Sequence, residues 1–128
     1  MNVRVVMTEL PITVSRTSTI ADAASAMRAS GVSMLPVVDA AGTMSLCGVL
    51  TDRDIVERCM AAGHGGACVV SDHMTAGPLE TATADDDIET VVKRMDTARV
   101  NRLPVVDAAG RVVGVVTRHD IFARSIGV

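Results

Sequence analysis

The sequence predicts an α/β (α+β) fold in which two copies of one β-α-β-β-α motif pack with pseudo-twofold symmetry into one module. The eight residues 35–42, Leu-Pro-Val-Val-Asp-Ala-Ala-Gly, recur without change at residues 103–110. The pattern Gly-h-h-Thr-x-x-Asp, where h is apolar, occupies residues 48–54 and again residues 114–120. One copy alone would bury too little surface to be stable, so we expect the two to share a core.

The repeat divides the 128-residue chain into three parts. The offset between equivalent positions drifts between 66 and 68 residues, so each copy carries a small insertion relative to the other. We expect the first motif to span residues 7–60, a connector and lead-in to span 61–73, and the second motif to span 74–127. Glycines at positions 63, 65 and 66 predict a mobile connector.

Each motif contains an amphipathic helix followed by two buried strands. Apolar residues with helical spacing begin at Ile20 and again at Ile88. Thr19 is placed to cap the first helix, with Asp22 three residues on, and the acidic run 85–87 suits the start of the second. Valine-rich runs then predict strands at 36–38 and 46–50, and at 104–106 and 111–116, before a last helix that opens near Asp54 or Asp120.

The composition argues against several classes of protein. Phe122 is the only aromatic residue and the net charge is −3, so the stacking platforms and basic surface of a nucleic-acid reader are missing. No apolar run approaches the length of a membrane span or a signal-peptide core. Three cysteines, an odd and sparse number, argue against a disulfide framework. We therefore expect a soluble cytoplasmic protein that binds neither nucleic acid nor membrane.

The two Thr-x-x-Asp turns are the main candidates for ligand binding. Each lies where a strand ends and a helix begins, and the N–H groups and positive dipole end of a helix N-terminus suit a phosphate. The aspartate could accept two hydrogen bonds from ribose hydroxyls, and the threonine hydroxyl could donate to a phosphate oxygen. A purely structural interpretation stands beside this one, in which Thr51 and Thr117 are helix caps and Asp54 and Asp120 complete capping boxes.

The ordered set of motifs resembles a tandem pair of cystathionine β-synthase (CBS) domains, or Bateman module, of the stand-alone bacterial type. The residues that carry the resemblance are Met7-Thr8, 35–42 and 48–54 in the first motif, and Met74-Thr75, 103–110 and 114–120 in the second. The resemblance covers almost the whole chain. It implies that AMP, ADP, ATP, S-adenosylmethionine or a similar adenosyl ligand binds in the cleft between the motifs, with the base held by one motif and the ribose and phosphate by the other.

The resemblance implies two candidate sites. The preferred site would contain Thr8, Ile12, Thr13, Val32, Ser33, Met34, Pro36, Thr117, Arg118, His119 and Asp120. The second would contain Thr75, Glu80, Thr81, Val100, Asn101, Arg102, Pro104, Thr51, Asp52, Arg53 and Asp54. The first is preferred because its base pocket is more apolar and because Arg118 and His119 can both meet a phosphate. The second places Glu80 and Asp52 near the expected phosphate position.

The sequence contains no catalytic constellation. It has neither a Walker-type phosphate loop nor a nucleophile with a partner base. We therefore expect a regulatory or sensor module that is not an enzyme and requires no cofactor. It would act in trans on an unidentified protein, and the resemblance implies a homodimer formed through the helices. Five methionines, at 27, 34, 60, 74 and 95, are expected to fill the core or a dimer interface.

Two alternative functions stand beside this one. The chain could be a protein-interaction or stress-associated module with no physiological nucleotide. It could also be a metal- or redox-responsive protein, because Cys59, His64, Cys68 and His73 form the pattern C-x4-H-x3-C-x4-H around the connector. The spacing is not that of a standard zinc finger. We therefore prefer the interpretation that these four residues are scattered and unrelated to the interpretation that they bind a metal. Cys47 is expected to pack as a small hydrophobe.

Overall fold

A computed structural model describes residues 1–40 and 42–125. Ala41 of the first repeated stretch, and the expected end of the second motif at residue 127, lie outside the described residues. The strands are β1 (Thr8–Glu9), β2 (Val14–Ser15), β3 (Met34–Val38), β4 (Leu46–Thr51), β5 (Thr75–Ala76), β6 (Arg102–Val106) and β7 (Val112–Thr117). The α-helices are α1 (Ile20–Ser30), α2 (Asp52–Asp54), α3 (Ile88–Ala98) and α4 (Arg118–Ser125). Helix α2 continues as a π-helical turn, Ile55–Met60, and short 3₁₀ turns cover Val3–Val5 and Val70–Asp72.

The expected order of strand, helix, strand, strand and helix is confirmed in both halves, and the mixed α+β fold class with it. The last helices begin at Asp52 and Arg118, two residues before the positions expected from the apolar pattern. The hydroxyl of Thr19 accepts a hydrogen bond from the Asp22 amide at 3.1 Å, which confirms the predicted cap of α1. None of the helices in the described part of the chain is long and apolar enough to cross a membrane.

The chain forms two compact units. One consists of Ile12–Leu79, and its four-stranded sheet has the order β2-β3-β4-β5. Its core includes Leu35, Val37 and Leu50, together with Met27 from α1. The apolar stripe of α1 therefore packs where the sequence predicted it.

The other unit joins Met1–Pro11 to Glu80–Val128. Its three-stranded sheet has the order β1-β7-β6, and Ala82 adds an isolated parallel bridge to Val105 in β6. Its core includes Val91 and Met95 of α3 with Leu103 and Val116 of the sheet. The sheet of the unit Ile12–Leu79 has the same feature, since its strand β2 pairs in parallel with β3.

The first strand of each repeat, β1 (Thr8–Glu9) or β5 (Thr75–Ala76), is here called its lead-in strand, and the two lead-in strands are exchanged. Thr8 of the first repeat pairs with Val115 in the strand of the second, and Thr75 of the second pairs with Val49 in the strand of the first. Each compact unit therefore contains one lead-in segment that belongs, by sequence, to the other motif. The compact units thus differ from the repeat boundaries expected from the sequence.

Two glycines make this exchange possible. A Cβ atom at Gly48 would lie 2.7 Å from the Met74 sulfur and 2.9 Å from the Thr75 carbonyl oxygen. A Cβ atom at Gly114 would lie 2.8 Å from the Thr8 carbonyl oxygen and 3.2 Å from the Met7 sulfur. Both glycines open the Gly-h-h-Thr-x-x-Asp pattern, so the first residue of that pattern is needed for close approach of the lead-in strand.

Candidate functional site

The first Thr-x-x-Asp turn is closed by its own hydrogen bonds. The Asp54 amide donates to the Thr51 hydroxyl at 3.0 Å, and the Thr51 amide donates to the Asp54 carboxylate at 3.0 Å. This is a complete capping box. The Arg58 guanidinium also lies 3.6 Å from the carboxylate, whose side chain is only 12% exposed. The structural interpretation of this turn is therefore the one observed.

The second turn has only half of that arrangement. The Asp120 amide donates to the Thr117 hydroxyl at 3.0 Å, so Thr117 caps α4. Within residues 1–40 and 42–125, the Asp120 carboxylate has no hydrogen-bond or ion-pair partner. It lines a depression of about 260 Å³ together with Thr8 and Arg124. The structure thus brings together two residues of the preferred site, Thr8 and Asp120, and leaves the carboxylate available.

A second depression, of about 410 Å³, lies at the start of α4 and contains three basic side chains. Its lining is formed by Asn101, Arg102, Thr117, Arg118, His119 and Phe122. From the sequence, Thr117, Arg118 and His119 were expected in the preferred site and Asn101 and Arg102 in the second, whereas all five line this one surface. The exposed fraction of Phe122 is 62%, so the single aromatic ring stands at the mouth of this basic surface.

Arg118 is held in place by its neighbours. Its guanidinium donates to the Asp96 carboxylate at 2.8 Å and to the Asn101 side-chain oxygen at 3.2 Å. Its amide donates to the Asn101 carbonyl at 2.7 Å. A phosphate at this position would meet a guanidinium that is already oriented, and it would compete with Asp96 for it.

The remaining residues of the preferred site belong to the unit Ile12–Leu79. Ile12 and Val32 are exposed, while Thr13 and Ser33 are half-buried. Met34 is only 6% exposed and Pro36 is fully buried in β3, so their side chains offer little surface to a ligand. The Ser33 carbonyl accepts a hydrogen bond from the Asp52 amide, which ties the start of β3 to the first turn.

Several members of the second set already have partners within their own units. The Thr81 carbonyl accepts from Arg94, and the Pro104 carbonyl accepts from the Ala82 amide. The Arg53 side chain pairs with Glu57 at 3.0 Å. Asp52, Glu80 and Val100 are exposed, and Thr75 is half-buried in β5.

The acidic run before α3 acts differently from the expected cap. Asp87 occupies the N-cap position, but its side chain makes no capping hydrogen bond. Asp86 instead accepts from the Thr83 amide at 2.9 Å and from the Arg94 guanidinium at 2.7 Å. The Thr83 backbone hydrogen bond first, and then Arg94, lower the pKa of Asp86 against the opposing effect of burial.

A further hollow, in the unit that joins Met1–Pro11 to Glu80–Val128, was not predicted from the sequence. It has a volume of about 760 Å³, and its lining includes Glu9 and Leu10 of the lead-in segment with Thr83, Asp85 and Asp107. The side chain of Leu10 is 92% exposed and its φ is 50°. No sequence signal predicted this hollow, because it forms where an exchanged lead-in segment meets the sheet of the second repeat.

Three of the four metal candidates form a cluster in the unit Ile12–Leu79. The possible ligand atoms of His64, Cys68 and His73 all lie within 4.8 Å of one another. The His64 Nδ1 and His73 Nε2 atoms are 3.3 Å apart. The fourth candidate, Cys59, is buried, and its thiol points to the Gly65 carbonyl oxygen at 3.6 Å. Burial, followed by the neighbouring Cys68 sulfur, raises the pKa of the Cys59 thiol.

Cys47 lies apart from this cluster in β4, half-buried, and its thiol donates to the Val37 carbonyl oxygen at 3.4 Å. It packs against the core of its unit, which confirms the expected role as a small hydrophobe. Burial raises the pKa of the Cys47 thiol, with Arg16 opposing the shift.

The repeated fold places the chain among known proteins. The CBS domain family model matches residues 3–61 and again residues 70–127. The chain belongs to the CBS domain family. Similar solved structures include the CBS domain pair of protein MJ0100 in complex with 5′-methylthioadenosine and S-adenosyl-L-methionine, at 31% identity and a TM-score of 0.86, covering 99% of this chain and 96% of that one.

Two further CBS structures are similar. CBSX2 in complex with AMP matches at 27% identity and a TM-score of 0.81, with 98% of this chain and 96% of that chain covered. Hypoxic Response Protein I, with two coordinated zinc ions, matches at 30% identity and a TM-score of 0.84, with 95% and 97% covered.

The curated relatives are longer proteins. A homoserine O-acetyltransferase of Methanosphaerula palustris is 38% identical over 96% of this chain, which spans 23% of that protein. An inosine-5′-monophosphate dehydrogenase of Streptococcus pyogenes is 31% identical over 80% of this chain and 20% of its own length. The chain spans about a fifth to a quarter of these relatives, so the likeness concerns only that portion of each enzyme.

Proposed function

We propose that this CBS pair is a non-catalytic sensor that binds an adenine nucleotide and acts in trans on a protein partner. The observation that carries the proposal is the Asp120 carboxylate beside Thr8 at the start of α4, without a partner in the described part of the chain. A carboxylate in this position can accept hydrogen bonds from both hydroxyls of a ribose. Solved CBS pairs with AMP, and with S-adenosylmethionine and methylthioadenosine, support an adenosyl ligand.

A separate depression at the start of α4, which shares no lining residue with the one at Asp120, has a charge that favours a ligand with a phosphate. Arg102, Arg118 and His119 line one depression, and guanidinium groups bind phosphate oxygens in a bidentate manner. S-adenosylmethionine carries a positive sulfonium in place of a phosphate, so its charge complements this basic surface less well. We therefore rank AMP, ADP and ATP ahead of S-adenosylmethionine. The predicted base contacts, Ile12 and Val32, are part of the proposal.

Calorimetric titration with AMP, ADP, ATP, S-adenosylmethionine, methylthioadenosine and guanosine monophosphate tests the proposal. We expect an adenine nucleotide to bind most tightly and to raise the thermal midpoint, since a ligand of the folded state stabilises that state. Arg118→Ala should weaken the nucleotide about tenfold, the equivalent of one charge-assisted hydrogen bond, and should leave methylthioadenosine nearly unaffected. If none of the six compounds binds, the chain is not an adenosyl sensor and the protein-interaction alternative takes its place.

The proposal includes a homodimer. Val56 and Met60, four residues apart on the helical segment after β4, are each 60% exposed. Of the five methionines, Met27, Met34 and Met95 are buried, so Met60 is the one that stands on the surface. Sedimentation of the wild-type chain and of Met60→Glu tests this part. We expect a dimer that the charged variant weakens, whereas a monomeric wild-type chain would contradict it.

A further inference from the structure

The connector holds a compact group of nitrogen and sulfur atoms that the proposed nucleotide site does not use. All three residues lie within the segment 61–73: His64 near its start, Cys68 in its second half, and His73 at its end, directly after the 3₁₀ turn Val70–Asp72. Their possible ligand atoms lie within 4.8 Å of one another, and the two imidazole rings are tilted by 60° with centroids 5.1 Å apart. Three side chains from a loop of ten residues thus converge on one point.

The spacing of these atoms is close to that of a tetrahedral zinc site. Zinc binds histidine nitrogen at about 2.0–2.1 Å and cysteine sulfur at about 2.3 Å. In a tetrahedron these bonds place two nitrogens about 3.4 Å apart and a nitrogen about 3.6 Å from a sulfur. The His64 Nδ1 and His73 Nε2 atoms are 3.3 Å apart, which matches the nitrogen–nitrogen distance of a tetrahedral zinc site. A shift of about 1 Å brings the Cys68 sulfur to its position.

The backbone fixes each of the three residues. The His64 amide donates to the Cys59 carbonyl at 2.9 Å, and the His73 amide donates to the Val70 carbonyl at 3.0 Å. The Cys68 carbonyl accepts from the Ile20 amide at 2.8 Å, which ties it to the start of α1. His73 is only 5% exposed, so its imidazole cannot swing away into solvent. A site whose ligands are held by their surroundings binds a metal without a large ordering cost.

We propose that His64, Cys68 and His73 bind one zinc ion, with water in the fourth position. Two imidazoles and one thiolate form a ligand set that suits zinc rather than magnesium or calcium. Cys59 is not in the set: its thiol neighbours the Cys68 sulfur, but it lies outside the group of atoms that are all within 4.8 Å of one another, and it donates to the Gly65 carbonyl oxygen. The ion joins the connector to the segment just before β5, so it fastens the lead-in strand to the unit Ile12–Leu79.

The experiment measures zinc bound to the metal-stripped, reduced chain by equilibrium dialysis and elemental analysis. We expect about one zinc per chain. Cys68→Ser and His64→Ala should each weaken zinc binding by more than about 100-fold. Loss of a residue that only hydrogen-bonds to a metal ligand already lowers metal affinity about 10–100-fold. Cys47→Ser, a matched cysteine change in the same unit, should bind as the wild type does. A circular dichroism melt without zinc verifies that each variant folds.

Cobalt substitution identifies the sulfur ligand. The thiolate-to-cobalt charge-transfer band should appear in the wild type and in Cys59→Ser, and it should be absent in Cys68→Ser. No bound zinc, or a band that survives in Cys68→Ser and disappears in Cys59→Ser, would overturn the proposal, and the two histidines would then be only a hydrogen-bonded pair. None of the variants alters Asp120 or Arg118, so the nucleotide titration is an independent measurement.

Discussion

The turns at Thr51–Asp54 and Thr117–Asp120 share one sequence pattern but differ in the hydrogen bonds of their aspartates. Both have the same Thr-x-x-Asp letters, and both carry an arginine four residues after the aspartate, Arg58 and Arg124. In the first turn the carboxylate is bonded to its own backbone and lies beside the arginine, but in the second no such bond occurs within the described residues. A duplicated motif can therefore form a complete capping box in one copy and only half of one in the other.

The largest effect that the comparison predicts is on ligand affinity. Asp120→Ala should weaken the bound adenine nucleotide roughly 100-fold, because two hydrogen bonds to a charged group are lost at about 1.5 kcal/mol each. The thermal midpoint without ligand should hardly change, since the carboxylate has no partner within the described residues to lose. Calorimetric titration measures the affinity.

Asp54→Ala is the matched control for this prediction. It should leave the tightest nucleotide affinity within about twofold of the wild-type value, because its carboxylate is already occupied. A large loss of affinity in Asp54→Ala, with none in Asp120→Ala, would reverse the ranking of the two turns.

The glycine that opens each pattern should be equally important in both halves. Gly48→Ala and Gly114→Ala should each lower the free energy of unfolding by about 1–3 kcal/mol, since the added carbon meets a lead-in carbonyl at 2.9 or 2.8 Å. Urea denaturation measures this. Gly65→Ala is the control, because its Cβ would meet nothing within 4 Å. An unchanged midpoint in both variants would contradict the close approach described for the lead-in strands.

The capping difference gives a smaller stability effect. Asp54→Ala should reduce the free energy of unfolding by about 1 kcal/mol, because it opens a complete capping box. The same measurement on Asp120→Ala should show a change of only a few tenths of a kcal/mol. Equal losses in the two variants would mean that both turns are structural caps.

The last effect depends on pH: it concerns acid stability in the unit that contains α3. The folded-state pKa of Asp86 lies below its ordinary value of 3.8, so its contribution is complete above that pH. The contribution is lost as the pH falls through the folded-state pKa. Ser18 stands at the equivalent position before α1, where no carboxylate can titrate.

Asp86→Asn tests this contribution. The variant should be less stable than the wild type by about 1 kcal/mol at pH 7, from the loss of the charge-assisted bond to Arg94. The difference should shrink below about pH 4, when the wild-type carboxylate is also neutral. Urea midpoints at several pH values measure it, and a difference that stays constant with pH would contradict the assignment.

The repeat and the apolar periodicity were enough to predict the element order, the strands β3, β4, β6 and β7 and the cap at Thr19, because these depend on local chemistry. The exchange of lead-in strands is a choice between two partner strands, β4 and β7, with the same pattern, so that pattern cannot predict which one is chosen. The different hydrogen bonding of the Asp54 and Asp120 carboxylates could not be predicted for the same reason, since both residues occupy the same position of the shared pattern. The convergence of His64, Cys68 and His73 depends on the path of the connector, which spacing alone does not determine.

The exchange of lead-in strands also sets an order of events during synthesis on the ribosome. In the unit Ile12–Leu79, Thr75 pairs with Val49, and the whole unit is one continuous stretch of chain. In the other unit Thr8 must wait for Val115, a separation of 107 residues from 8 to 115. At about 5–20 residues per second, strand β1 waits roughly 5–20 s for its partner to be synthesised. The continuous unit Ile12–Leu79 can therefore mature before the unit that joins Met1–Pro11 to Glu80–Val128.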